Sequence, residues 1–348
     1  MCWLISRPRL DTVVRWGIGV YVCCCCSVCV AAQQTFRVLE YNVENLFDTE
    51  HDTLKDDREF LPGSVRGWSK ARYRAKLIRI GKVILAAGAG QVPDLVALCE
   101  VENERCISDL VSRPPLREAG YRFVMTDSPD ERGIDVALLY QPATFRPLSV
   151  QYLRLPMRPR RRPTRDVLHV SGRVLTGDTL DVFVCHLPSR ASGRALTEPY
   201  RREVAGRIRR AADSLMSCRF CPHVLVMGDF NDGASDPSLA EGLGAAAPAA
   251  CPETSVLYNV TAGTWKGTYR YRSEWHTFDH VLLNGRLMQP ASRIRYRRAA
   301  ILAFPFLLEE DEDYGGDRPF RTYRGRRYYS GYSDHLPVGL ELELVPQE

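Results

Sequence analysis

Val-Leu-Val-Met-Gly-Asp-Phe-Asn-Asp, residues 224–232, has the clearest strand pattern of the sequence. Its first four residues are apolar and lack polar alternation, which is typical of a strand buried on both faces of a sheet. Asp229 and Asn231 follow directly, where this strand is expected to stop. Short polar residues at such places often form turns, but a carboxylate and an amide there also suit chemistry at a sheet edge.

Similar apolar runs recur along the chain and are predicted as strands. They cover residues 36–41, 94–98, 136–140, 180–185, 281–283 and 338–342. Amphipathic helices are predicted over residues 69–87 and 198–216, each followed by a strand. This order indicates an α/β fold with mixed sheets covered by helices.

Polar side chains stand at the ends of these predicted strands as well. Asn42, Glu100 and His186 each follow a strand, Asp279 precedes one, and Ser-Asp-His at 333–335 precedes the last. Carboxylates and an amide oxygen bind a hard divalent cation. An imidazole beside a carboxylate transfers protons, and amides hold phosphoryl oxygens. The pattern therefore indicates phosphate-ester hydrolysis at one sheet edge.

Seven motifs carry a resemblance to a known family: YNVENLFD, ALCEVEN, RGIDVALLY, VCHLPSR, MGDFND, FDHVLLN and GYSDHLPV, in this order. From about residue 36 to 344 the sequence resembles the endonuclease/exonuclease/phosphatase superfamily, which includes deoxyribonuclease I and exonuclease III. YNVENLFD, RGIDVALLY and CHLPSR are most similar to predicted exported nucleases of Bacteroidetes-like bacteria. The resemblance implies a four-layer α/β sandwich, two packed mixed β-sheets flanked by helices, with the site at the shared sheet edge.

The resemblance also implies a metal centre. Asn42, Glu100 and Asp334 match family positions at or beside a divalent cation, expected to be Mg²⁺ or Mn²⁺. Such a cation serves as a Lewis acid on the scissile phosphate.

Five further matches imply catalytic roles. His186 is expected to contact a phosphoryl oxygen or assist the leaving group. Asp229 and Asn231 are expected to orient the attacking water or protonate the leaving oxygen. His335 is expected to be a base or oxyanion partner oriented by Asp279, as in a catalytic triad without a serine.

Three more residues of the quoted motifs are candidates for contact with the substrate phosphate or for support behind the catalytic residues. They are Arg132, Asp135 and Arg190. Glu102 and Glu104 are interpreted as surface carboxylates, with second metal ligands as the alternative. The acidic run 306–316 is interpreted as a solvated loop, with a second cation site as its alternative.

The predicted function is an exported, metal-dependent phosphoesterase, foremost a nuclease that hydrolyses phosphodiester bonds by in-line attack of activated water. A phosphatase or a lipid phosphodiesterase of the same superfamily is the alternative. A non-enzymatic binding module would need a missing site residue, and none is missing. No apolar membrane-docking insertion is evident, which favours a nucleic-acid or nucleotide substrate. A monomer without a stable protein partner is expected.

Composition agrees with a folded domain. Of 348 residues, 45% are hydrophobic and 26% charged, which excludes disorder, collagen and a polytopic membrane protein. The net charge of +5 is too small to predict nucleic-acid binding by itself.

The N-terminus has the pattern of a secretory signal peptide, predicted as residues 1–32, before a single domain at 33–348. Arg7, Arg9 and Arg15 precede an apolar run at 17–30. That run is shorter than the ~20 residues of a membrane-spanning helix, although an uncleaved anchor and a lipid-modified cysteine remain alternatives.

Export would place the chain in an oxidising compartment, where disulfides are permitted. Cys218 and Cys221 form the only close cysteine pair of the predicted domain. A loop disulfide, idle thiols, or a zinc site completed by His223 and Cys251 are the open interpretations.

Overall fold

Two mixed β-sheets form the centre of the computed structural model, which describes residues 34–155 and 162–346. The predicted signal peptide and residues 156–161 lie outside the described residues. Within the described residues, no helix is both long and apolar enough to cross a bilayer.

The first sheet has six strands. In spatial order they are β14 (Ile294–Ile301), β19 (Val338–Leu344), β1 (Gln34–Leu46), β2 (Leu95–Val101), β4 (Asp135–Tyr140) and β3 (Arg122–Met125). β1 runs parallel to β2 and antiparallel to β19.

The second sheet has seven strands. In spatial order they are β5 (Phe145–Leu153), β6 (Val167–Val174), β7 (Thr179–His186), β8 (Val224–Asp229), β13 (Asp279–Asn284), β10 (Leu257–Asn259) and β9 (Ala245–Ala246). β8 lies between β7, to which it is parallel, and β13, to which it is antiparallel.

Helices cover the outer faces of both sheets. α1 (Lys70–Ala87) and α2 (Glu104–Ser112) lie on the first sheet, and α3 (Arg194–Cys218) lies on the second. Ser69 caps α1 and Asn103 caps α2, each by accepting a hydrogen bond from a backbone N–H of the first turn. The inner faces of the sheets pack together through apolar side chains of β1, β2, β4, β7 and β8. The result is the predicted four-layer α/β sandwich.

Glycine at position 228 explains how closely β7 and β8 approach. Gly228 has a φ of 144°, and a Cβ atom there would lie 1.8 Å from the carbonyl oxygen of Cys185. Only glycine fits this close approach. It brings the last residues of the two strands, His186 and Asp229, into register.

Short strands of two or three residues form three hairpins that the sequence analysis does not predict. They are β11 (Tyr269–Tyr271) with β12 (Glu274–His276), β15 (Leu308–Glu310) with β16 (Asp317–Pro319), and β17 (Tyr323–Arg324) with β18 (Arg327–Tyr328).

The interpretation of residues 306–316 as a solvated loop is wrong in part. This segment contributes β15, and the Asp311 side chain is buried. Ion pairs with Arg270 and Arg318 neutralise that carboxylate, so burial of the charge is tolerated.

Candidate active site

The ends of three strands and the interior of a fourth bring candidate residues together at one edge of the sandwich. Asp229 ends β8, faces His186 at the end of β7, and faces Asp279 at the start of β13. Across from them, Asn42 lies in β1 of the other sheet. Contacts between β1 and both β8 and β13 join the two groups.

Among the candidate residues, His335 and Asp279 form a close pair. His335 Nδ1 lies 2.7 Å from Asp279 Oδ2, although the residues are 56 positions apart in sequence. Burial opposes a charged imidazole here, but the carboxylates of Asp279 and Asp229 outweigh it and raise the pKa of His335 well above its usual value. His335 is therefore an imidazolium at neutral pH, suited to stabilising an oxyanion or donating a proton.

Asp229 is the centre of the group. Its Oδ2 accepts a hydrogen bond from Asn42 Nδ2 at 3.0 Å, and it lies 3.5 Å from His186 Nε2 and 3.9 Å from His335 Nε2. Its Oδ1 accepts from the backbone N–H of Asn231 at 2.8 Å. Burial and the nearby Asp279 raise the pKa of Asp229 to about 7 despite the imidazolium. A carboxylate with this pKa can accept a proton at neutral pH.

Arg165, which the sequence analysis missed, binds the backbone of His186. Burial, together with Arg165 and Arg132, lowers the pKa of His186 well below its usual value, so the ring is neutral. Arg165 donates to the backbone carbonyls of His186 and Leu187, at 3.2 and 2.7 Å. His186 Nδ1 is buried and has no hydrogen-bond partner among the described residues.

Glu100 lies within β2 and not after it, which corrects the predicted strand end. Its φ of 66° is left-handed, and the pairing register shifts between Cys99 and Val101. Such a bulge turns a side chain out of the regular ladder. Glu100 Oε2 accepts a hydrogen bond from the backbone N–H of Asn45 at 2.9 Å.

Asp334 belongs to a charged network that the sequence analysis did not predict. Arg321 donates to Asp334 Oδ2 at 2.9 Å and to Glu44 Oε1 at 3.2 Å. Behind them, Lys76 is fully buried and donates to Thr322 Oγ1 at 2.6 Å. Burial lowers the pKa of Lys76 to about 8, although the surrounding carboxylates act in the opposite direction.

The donor set fits a divalent cation. Glu100, Asp334 and Asn42 offer hard oxygen atoms. The buried carboxylates also repel one another: Asp334 contributes to the raised pKa of buried Glu44, and Asp279 to that of Asp229. A bound cation would relieve this excess of negative charge.

Asp229, Asp279 and His335 form the one group of the described residues with ligand atoms within 4.8 Å of one another. Two carboxylates and an imidazole at these distances suit either a metal ion or proton transfer. This group contains no cysteine. The six cysteines of the described residues are all free thiols.

The three predicted phosphate or supporting residues have different surroundings. Arg132 is exposed and donates to Asn45 Oδ1 at 2.5 Å, beside Glu100. Arg190 donates to the Asn231 carbonyl oxygen and pairs with Asp232 and Asp236, so it braces the loop after β8.

Asp135 is buried and accepts hydrogen bonds from Thr126 and Ser128. Its role as a phosphate-contact or supporting residue stays a prediction.

Glu40 is a further buried residue that the prediction missed. It is fully buried in β1, and neither carboxyl oxygen has a hydrogen-bond partner among the described residues. Burial and the carboxylates of Asp279 and Asp229 raise its pKa well above the usual value, which favours the protonated form. A glutamate within the apolar run 36–41 was the available signal.

Glu102 is not the surface carboxylate that the sequence analysis expects. It is half-buried, and its Oε2 accepts from the backbone N–H of Asp48 at 2.7 Å. Burial raises its pKa from 4.5 to about 8. The stability contributed by this shift is therefore full below about pH 4.5 and is lost as the pH rises toward 8.

Replacing Glu102 by glutamine should accordingly raise the free energy of unfolding relative to the wild type at pH 8.5, and much less at pH 5. Urea denaturation at both pH values measures the difference, with exposed Glu104→Gln as the control. Equal effects of Glu102→Gln at the two pH values would contradict the assignment.

Comparison with known proteins agrees with this geometry. The sequence profile of the Endonuclease/Exonuclease/phosphatase family matches residues 37–344. A search of curated proteins finds no match.

Several solved structures share the fold. An endonuclease/exonuclease/phosphatase family protein from Bacteroides thetaiotaomicron has 16% identity and a TM-score of 0.59, over 91% of this chain and 100% of that one. A mannosyl-6-phosphatase of the same organism has 16% identity and a TM-score of 0.55, over 88% and 99%. D. rerio TDP2 complexed with a single-stranded DNA product has 17% identity and a TM-score of 0.54, over 88% and 98%.

At these identities the solved structures bear on the fold alone, whereas the family profile spans nearly all of the described residues. The chain belongs to the endonuclease/exonuclease/phosphatase family of metal-dependent phosphoester hydrolases.

Proposed function

We propose that this protein is an exported nuclease that hydrolyses phosphodiester bonds by in-line attack of water, with Mg²⁺ or Mn²⁺ as cofactor. The observation that carries the proposal is the arrangement around Asp229. Asp229, with a pKa of about 7, lies at one sheet edge with two histidines, His186 with a lowered pKa and His335 with a raised pKa. The side-chain amide of Asn42 and the backbone amide of Asn231 donate to its carboxylate. Such a site can both accept and donate a proton at neutral pH.

Asp229 is the proposed acceptor of the proton from the attacking water. Asn42 Nδ2 and the Asn231 backbone N–H hold its two oxygens in place, so the carboxylate is oriented before the substrate arrives. This preorganisation lowers the cost of reaching the transition state.

His335 is the proposed electrophile for the phosphoryl oxygens. Asp279 holds Nδ1, which leaves Nε2 free to donate to a developing negative charge. The sequence analysis left two roles open for His335, a base or an oxyanion partner. The raised pKa of His335 favours the oxyanion partner. Neutral His186 lies on the other side of Asp229 and contacts the same phosphoryl group in this proposal.

Glu100, Asp334 and Asn42 would hold the divalent cation, which supplies Lewis-acid polarisation of the phosphate when bound. Arg321 shares Asp334 with that site, so its guanidinium lies ready to balance the substrate's charge. A phosphatase acting on a sugar phosphate is the second candidate, since the fold is shared with a mannosyl-6-phosphatase.

A substrate panel tests the proposal. Plasmid, single-stranded DNA, RNA, bis-nitrophenyl phosphate, nitrophenyl phosphate, mannose 6-phosphate and sphingomyelin are incubated with the protein, each with Mg²⁺ and with chelator. We expect hydrolysis of the nucleic acids and of the diester, with Asp229→Asn as the inactive control. Preferential hydrolysis of a monoester or of sphingomyelin would refute the nuclease assignment.

Export is proposed from the arginines and the apolar run before residue 33. Intact-mass analysis of the protein recovered from its native cells should find a mature chain that begins near Gln33. A soluble cytoplasmic protein that retains Met1 would contradict this prediction.

A further inference from the structure

A cleft opens beside the candidate active site. It has a volume of about 240 Å³ and lies between the β11–β12 hairpin and residues 311–324. Pockets for drug-sized ligands usually have ~300–1,000 Å³. The cleft is therefore suited to a ligand about as large as one nucleoside.

The cleft reaches the reacting groups. Asp334 and Arg321 line it, and so does Tyr269, whose ring centroid is 4.9 Å from that of His335. A ligand in the cleft would therefore lie against Tyr269, which contacts His335, and beside Asp334 of the candidate cation site.

Two tyrosines on the walls are unusually exposed for large side chains. Tyr271 is 57% exposed and Tyr314 is 54% exposed. The guanidinium of Arg272 lies 5.3 Å from the centroid of the Tyr271 ring. Exposed aromatic rings with an arginine beside them are the elements on which proteins stack the bases of single-stranded nucleic acid.

Arg270 fixes the two tyrosines relative to each other. It follows Tyr269 and precedes Tyr271 in β11, and it donates to the carbonyl oxygen of Gly315, next to Tyr314, at 2.7 Å. Its side chain is only 5% exposed and pairs with Asp311. The walls are thus held in place before a ligand binds, which reduces the entropy cost of binding.

Five arginines and two carboxylates line the cleft: Arg270, Arg272, Arg318, Arg321 and Arg324, with Asp311 and Asp334. Four of the arginines form ion pairs with Asp311, Glu309, Glu44 or Asp334, whereas Arg272 forms none among the described residues and is available to an anion. Guanidinium groups match the geometry of phosphate oxygens.

We propose that this cleft binds one nucleotide of single-stranded nucleic acid next to the scissile phosphate, with its base stacked on Tyr271 or Tyr314. The inference rests on the proposed nuclease function and deepens it. A base within a duplex is already stacked and paired, so the cleft selects single strands over duplexes.

Binding measurements test the cleft independently of catalysis. Fluorescence anisotropy of a labelled single-stranded oligonucleotide, in chelator so that no cleavage occurs, compares the wild type with the Tyr271→Ala/Tyr314→Ala double variant. We expect the variant to bind roughly 5- to 100-fold more weakly, the range for the loss of base stacking. Tyr271→Phe and Tyr314→Phe should retain most of the affinity, because phenylalanine still stacks.

Tyr152→Ala is the matched control, because Tyr152 is 47% exposed on β5 and outside this cleft. Its affinity should equal that of the wild type. With Mg²⁺, the ratio of oligonucleotide to bis-nitrophenyl phosphate turnover should fall in the double alanine variant.

Unchanged oligonucleotide affinity in the double variant would overturn the inference. So would wild-type preference for a duplex of equal length, for mannose 6-phosphate or for sphingomyelin vesicles. If the wild type hydrolyses no phosphoester at all, the proposed function fails, while the anisotropy result still decides whether the cleft binds single strands.

Discussion

His335→Ala is expected to lower kcat/KM for phosphodiester hydrolysis by about 10²- to 10⁴-fold, the range for loss of a general acid or base. The variant loses the imidazolium that Asp279 and Asp229 hold in its charged state. Steady-state kinetics on bis-nitrophenyl phosphate measure the loss. His51→Ala is the control, because that histidine pairs with Asp57 away from the cluster.

A double variant of His335 and Asp279 tests whether the two residues act as a pair. Asp279→Asn keeps a hydrogen-bond acceptor but removes the charge that fixes the imidazolium, so it should cost somewhat less than His335→Ala. Residues that act as one unit lose activity non-additively. The double variant should therefore be hardly slower than His335→Ala. Losses that simply multiply, in proteins shown to be folded by circular dichroism, would mean that the pair does not act as a unit.

Glu100→Gln is expected to lower turnover by about 10²- to 10³-fold at low Mg²⁺, as for a loss of several kcal/mol of charge stabilisation. Glutamine preserves the size of the side chain and can still accept from the Asn45 backbone N–H. What it lacks is the negative charge that binds the cation.

Raising the Mg²⁺ or Mn²⁺ concentration should restore part of the Glu100→Gln activity, because the defect is in cation affinity. Glu104→Gln, an exposed change at the start of α2, should leave the metal dependence unaltered. A Glu100→Gln protein with the metal affinity of the wild type would show that Glu100 is not a ligand.

The layers of the fold could be predicted from the sequence because local patterns specify them. Residues 224–227 are apolar on both faces, and β8 is indeed buried between its neighbours. α1 begins one residue after the predicted position, with Ser69 as its cap. Motifs at strand ends carry the candidate site for the same reason, since strand order places those ends at one edge.

The remainder depends on contacts between distant segments, which no local pattern encodes. Arg321 joins Glu44 and Asp334 from a part of the chain that the sequence analysis treats as featureless. The bulge at Glu100 arises from its pairing with β4 and is invisible in an apolar run. Glu40 lies in a strand that was predicted, but its raised pKa follows from burial and from the carboxylates of Asp279 and Asp229, which no local pattern shows.

Metal dependence of the wild-type enzyme tests the central claim most directly. Protein freed of metal by chelation is mixed with bis-nitrophenyl phosphate, and the initial rate is followed as Mg²⁺ is added back. We expect no turnover in excess chelator and a saturable recovery with added Mg²⁺ that Asp229→Asn does not show. Full turnover in excess chelator, or recovery in Asp229→Asn equal to that of the wild type, would contradict the central claim.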